Sequence, residues 1–183
     1  MVAKGACGDL RAMDERGVLA DALTLLGDHA RRHGATVTAA FHYADALALH
    51  LELGARLEIA LCLERVADLA FVRGKPVHAA CFLGSAATIR RAIGAPPIRT
   101  EELELETTLT AVRAKLDEAT FAAAWASGEA LQYDKAIAQA LAFLLNPVDA
   151  GEVLPSLEKA DSSAKCPPPG RPRTQSSETV LHV

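Results

Sequence analysis

Residues 19–55, LADALTLLGDHARRHGATVTAAFHYADALALHLELGA, return forty positions later as residues 59–95, IALCLERVADLAFVRGKPVHAACFLGSAATIRRAIGA. In that register Ala20 pairs with Ala60, Leu23 with Leu63, Asp28 with Asp68, Ala30 with Ala70 and Gly34 with Gly74. The second half of the unit repeats too. Val37 pairs with Val77, Ala39 with Ala79, Ala40 with Ala80, Ala46 with Ala86, Gly54 with Gly94 and Ala55 with Ala95. A period of this size, carried by small and apolar identities with glycines at fixed places, is the mark of stacked helical hairpins.

Working outward from the repeat, apolar residues recur at three- and four-residue spacing in blocks that glycine or proline ends. The expected helices cover about 14–33, 36–53, 56–73, 76–93, 100–116, 118–127 and 133–145. Gly34, Gly54, Gly74 and Gly94 close the first four, because glycine takes the left-handed backbone that terminates a helix at no steric cost. Pro76 suits a first turn, where its missing N–H has no intrahelical role. Asp117 is placed to cap the sixth helix, and Gly128 is expected to close it. Glu58, Glu64, Arg65 and Asp68 read as the solvated strip of the third helix, and Glu101, Glu102, Glu104 and Glu106 as a solvated face of the fifth. Phe121 and Trp125, one turn apart, read as core. Residues 1–13 lack periodicity and are expected to be a flexible lead-in. Residues 14–146 form the helical-repeat domain. Residues 147–183, increasingly rich in Pro, Ser, Thr and basic side chains, are expected to be a disordered tail in which Pro169 and Pro172 give a minimal polyproline spacing.

The chain of 183 residues is 50% hydrophobic but only 4% aromatic, so Ala and Leu must build the core, which suits closely packed helices. Val and Ile are too scattered for period-two strands. A net charge of -4 supplies no basic footprint for direct nucleic-acid binding. The charged residues Lys4, Asp9, Arg11, Asp14, Glu15 and Arg16 leave no place for a secretory apolar core. No apolar run reaches the roughly 18 residues of a membrane span. The cytoplasm is the expected compartment, with no membrane partner.

The residues that could carry chemistry do not assemble into a motif. Cys7, Cys62, Cys81 and Cys166 form no CxxC pair and have no histidine at zinc-like spacing; Cys62 and Cys81 fall on faces expected to be buried. Gly74-Lys75 is followed by Pro76 and lacks the earlier glycine of a phosphate loop. His29 and His33 have the spacing of a helical metal pair but enclose Ala30, Arg31 and Arg32, with no acid between them. His42 and His50 lie two turns apart, about 12 Å. Gly84-Ser85 does not lead into a nucleophile elbow. The expectation is a protein without catalysis, cofactor or metal.

Ala60, Ala67, Ala79 and Ala86 as small positions, Leu63, Val66 and Leu83 as large ones and the turn at Gly74 resemble a tetratricopeptide (TPR) hairpin. A longer similarity lies in residues 49–97, LHLELGARLEIALCLERVADLAFVRGKPVHAACFLGSAATIRRAIGAPP, followed by RAKLDEATFAAAWASGEAL at 113–131. These resemble the C-terminal helical-repeat region of bacterial signal-transduction ATPases related to LuxR, MalT and SARP-type transcriptional regulators. The resemblance spans about Ala20 to Leu145. Gln132 and Asp117 depart from its usual helix-starting residues, and the nucleotide-binding and helix-turn-helix domains of such regulators are not among these residues. It implies an all-α fold of antiparallel hairpins stacked as an α-solenoid of about seven helices. The repeat positions are Gly34, Ala39, Gly54, Ala60, Leu63, Gly74, Ala79, Leu83, Ala86 and Gly94. The implied role is a sensing or partner-binding arm that holds a protein or peptide. Alternatively, the chain is a truncated or split LuxR-type regulator working through a partner that carries the ATPase or DNA-binding domain. Leu19, Leu23 and Leu26 give the first hairpin an apolar face with no preceding unit, so self-association is expected there.

Overall fold

The computed structural model describes residues 2–146, with side chains from 13 onward, all within the compact unit Met1–Glu152. Among the described residues there are seven α-helices and no strand: α1 Val2–Arg32, α2 Thr36–Leu53, α3 Arg56–Val72, α4 Pro76–Ile93, α5 Arg99–Arg113, α6 Glu118–Ala130 and α7 Tyr133–Leu145. The expected tail at 147–183, with its Pro169 and Pro172, lies outside the described residues, as do the side chains of Cys7 and Cys166.

Four helix ends follow one scheme. Gly34, Gly54, Gly74 and Gly94 have φ of 79, 66, 70 and 65°, the left-handed region, at intervals of twenty residues. At each, the glycine and the residue after it donate backbone hydrogen bonds into the last turn, as Gly54 N to Leu51 O at 3.1 Å and Ala55 N to His50 O at 3.0 Å. This satisfies carbonyls that the helix itself leaves unpaired. Asp117 caps α6 by accepting from Thr120 N at 2.8 Å.

Three boundaries differ from the sequence expectation, one of them the end of α5, which stops at Arg113 and not near 116. The first helix begins at Val2 and not at Asp14. Apolar periodicity reports the buried face of a helix, whereas the helix continues through residues such as Ala3, Ala6, Leu10 and Ala12, whose propensity favours it. Gly128 does not end α6 but sits inside it. Its role is contact: a β-carbon there would overlap the Cys81 carbonyl of α4 and come within 3.0 Å of Ser85 N.

The helices pair as α1 on α2 and α3 on α4, with α2 also against α3, α6 along α4, and α7 against α2, α4 and α3. α5 touches α3, α4 and α6 more lightly. Ala39, Ala60, Leu63, Ala79, Leu83 and Ala86 are all buried, around Tyr43, Leu47, Ile59 and Phe82. The core is rich in alanine, which lets backbones approach closely. α3 is buried on most of its circumference, from Ile59 and Cys62 to Leu69 and Ala70. Leu63→Ala should therefore cost about 2–5 kcal/mol in denaturant unfolding, and a loss below about 0.5 kcal/mol would contradict its central position.

The face of α1 is divided. Leu23 packs against the core, whereas Leu19 and Leu26 are 52% and 51% exposed. No helix of the described residues is long and apolar enough to cross a membrane.

Candidate functional site

Positions forty apart on successive odd-numbered helices come together along one groove. Asp28 on α1, Asp68 on α3 and Thr108 on α5 share its wall, and the cavity there measures about 560 Å³. Its lining includes Arg31, Arg32, Arg65, Phe71, Val72 and Glu104. The volume is in the range of peptide-residue or small-ligand sites, and the wall is more polar than most such sites.

A connected polar network crosses the groove floor. Thr108 Oγ1 donates to Asp68 Oδ1 at 2.6 Å. Arg65 Nη1 donates to Glu104 Oε2 at 2.7 Å, and Arg65 Nε lies 3.5 Å from Asp28 Oδ2. Arg31 Nη2 is 3.7 Å from Asp68 Oδ2. Below the floor the buried Tyr43 hydroxyl donates to Asp28 Oδ1 at 2.6 Å. Arg65 thus bridges carboxylates of α1 and α5, and Arg31 faces a carboxylate of α3, which keeps half-buried charges paired.

The network also sets the ionisation of its members. Burial raises the Asp68 carboxyl above the ordinary carboxylate value, outweighing the Thr108 hydrogen bond and the two arginines. Burial raises the Tyr43 phenol too, with the Asp28 hydrogen bond in the same direction. For Arg65, burial pulls downward, but Glu104, Asp28 and Asp68 together raise it. One donor in the site is unused: Arg31 Nε is buried without a hydrogen-bond partner.

This differs from the expected solvated strips. Arg65, Asp68 and Glu64 are half-buried, and Arg65 and Asp68 belong to the groove. Among the α5 glutamates, Glu104 is largely exposed at the groove rim, and Glu101 turns to the buried Arg90. Asp28 and Asp68 were visible as a repeat identity. Their shared wall was not, because neither lies on an apolar face and Thr108 breaks the identity.

The repeat positions do other work. Ala39, Ala60, Ala79 and Ala86 are packing residues, and the four glycines are helix ends. Leu83 contributes to a second, apolar cavity of about 350 Å³ bounded by Trp125, Leu105, Ala87, Pro96 and Pro97. Phe121 is buried, and Trp125 packs against it with ring centroids 5.8 Å apart.

Other candidates resolve separately. Cys62 and Cys81 are buried free thiols. Burial pushes the Cys62 thiol up to about 12, the behaviour of a small core residue. Among the described residues no group of three or more His, Cys, Asp or Glu side chains is placed to hold a metal ion. The His29 and His33 rings lie 4.4 Å apart, tilted by 52°, at the exposed C-terminal end of α1 and just after it.

His50 is 3% exposed, with Asp21 Oδ1 4.0 Å from its Nε2. Burial lowers its pKa below the ordinary imidazole value, outweighing Asp21 and Glu58. A folded-state value below the unfolded one means that the unfolded chain binds the extra proton first. Stability is therefore full above about pH 6.5 and falls as pH drops through that value. Unfolding midpoints in urea should decrease from about pH 7.5 to about pH 5.5, and His50→Gln should decrease less. An equal decrease in both proteins would remove His50 as the cause.

No family model, curated protein or solved structure matches this chain.

Proposed function

We propose that this protein is a non-catalytic interaction module, a TPR-like α-solenoid of helical hairpins that holds a protein or peptide segment along the groove between α1, α3 and α5. The reading rests above all on Asp28, Asp68 and Thr108, equivalent positions of successive units that line one wall. Solenoids use such repetition to build a continuous concave surface. Alternating carboxylates and guanidiniums suit the N–H and C=O groups of a peptide backbone. The resemblance in residues 49–97 supports a place for this module in a bacterial signal-transduction regulator, in the cytoplasm.

Arg32 and Glu104 line the groove and are exposed, so changing them leaves the core intact. In affinity capture from the native lysate, the wild-type chain should enrich a partner. Arg32→Glu/Glu104→Arg should weaken that capture by roughly 10-fold or more, with unchanged helicity. A partner held equally well by both would place the binding surface elsewhere.

The same resemblance supports a second reading, a truncated or split LuxR-type regulator that acts through a partner chain carrying the ATPase or DNA-binding domain. A neighbouring reading frame encoding a P-loop ATPase that co-purifies with this chain would favour it. Retention of random duplex DNA by the isolated chain at low salt would contradict both readings, since phosphate contacts dominate such binding.

A further inference from the structure

The repeat register shows what one exposed face lacks. Leu19 and Leu26 of α1 are the equivalents of Ile59 and Val66 of α3, which are completely buried. Beside them on α1 stand Val18 at 69% and Leu25 at 66% exposure, with Ala22 also exposed between them. Spacing of three and four residues puts these five on one face of the helix. An apolar helix face of this kind ordinarily packs against another helix.

The pattern on that face is symmetric about Ala22. Leu19 and Leu25 are equidistant from it in sequence, as are Val18 and Leu26, and Glu15 and His29. One end is acidic and the other basic: exposed Asp14 and Glu15 precede the apolar block, and exposed Arg32, flanked by His29 and His33, follows it. Arg16 lies off this face and pairs with Glu52. A partner of different sequence has no need of mirror symmetry, whereas a two-fold contact requires a self-complementary surface.

We propose that a second copy of this chain covers the face, through an antiparallel α1–α1 pairing centred on Ala22. In that pairing Val18 meets Leu26 of the other copy, Leu19 meets Leu25, and each acidic end meets a basic end. The small Ala22 at the axis lets the two backbones approach, and the antiparallel arrangement opposes the two helix dipoles. The contact is on the outside of the first hairpin and shares only Arg32 with the lining of the groove between α1, α3 and α5.

Sedimentation equilibrium of the full chain tests it. The expected mass is that of two copies at about 50 µM. Leu19→Glu/Leu26→Glu, on exposed positions, should raise Kd by roughly 100-fold or more while helicity is kept. If that variant loses helicity, Leu25→Lys takes its place with the same expectation. Glu15→Lys should weaken the dimer, and His29→Glu added to it should restore it. With Cys7 and Cys166 replaced by alanine, Ala22→Cys should oxidise to a covalent dimer. The proposal is overturned by a monomer at about 100 µM, by a dimer indifferent to Leu19, Leu25 and Leu26, or by mass growing beyond two copies, the sign of a head-to-tail stack. A dimer that Ala22→Cys fails to cross-link would overturn the antiparallel axis.

Discussion

Gly128→Ala should destabilise the protein by about 3 kcal/mol, although the same change in an isolated helix would stabilise it by about 1 kcal/mol. The two effects have opposite sign, so the measurement decides between them. Inside α6, alanine restricts the unfolded chain and favours the helix. In the folded protein its methyl group would overlap the Cys81 carbonyl and approach the carbonyl carbon to 2.8 Å. The obstacle is backbone of α4, which has no rotamer to change, so the helices must separate. On the facing helix, Gly84 has the reciprocal contact, where a β-carbon would come within 3.2 Å of the Trp125 carbonyl carbon. Ser85 lies in the same crossing, its hydroxyl donating to Gly128 O at 3.0 Å. Gly84→Ala should show a similar loss, and the double variant should lose less than the sum, because one separation relieves both overlaps. Denaturant unfolding with helicity measured in parallel provides the check. A gain in stability for Gly128→Ala would mean that α4 and α6 are not packed at this distance.

Arg90→Met should cost about 3–5 kcal/mol, since removal of one partner strands the others in a partly buried site. Arg90 is 4% exposed. Its Nε donates to Glu64 Oε1 at 2.7 Å, and Nη2 donates to Glu64 Oε2 at 3.2 Å and Glu101 Oε2 at 3.0 Å. Nη1 reaches Ala95 O at 3.4 Å. One planar side chain thus joins α3, α4, the connector after Gly94 and the start of α5, where Glu101 also accepts from Ile98 N at 3.2 Å. Lysine cannot reproduce this fork, so Arg90→Lys should recover only part of the loss. Changing Glu64 and Glu101 to glutamine together with Arg90→Met should recover more, because the stranded charges disappear with the cation. Equal instability in the single and triple variants would show that packing by the Arg90 stem, and not charge, carries the effect.

Both variants concern features that local sequence patterns do not report. Gly34, Gly54, Gly74 and Gly94 were legible because a helix end depends on the backbone of a few adjacent residues. The buried faces of α3, α4 and α7 were legible because apolar spacing records the side that leaves water. Gly128 had the same local appearance as a terminating glycine, and only the neighbouring α4 distinguishes a close approach from a stop. Arg90 stands in the last turn of α4, where a cation suits a helix C-terminus whether exposed or not, and only the approach of Glu64 and Glu101 accompanies its burial. Glu64, Arg65 and Asp68 read as a solvated strip for the same reason.

Sequence by itself determined the seven helices of the described residues, most of their ends and the alanine-rich core, since helix period and turn chemistry act over a few residues. Tertiary structure decided the rest: α6 pressed on α4, α7 against α2, and the groove that gathers Asp28, Asp68 and Thr108. Those partners stand tens of residues apart, and their meeting depends on how helices pack, a relation that no short-range periodicity encodes.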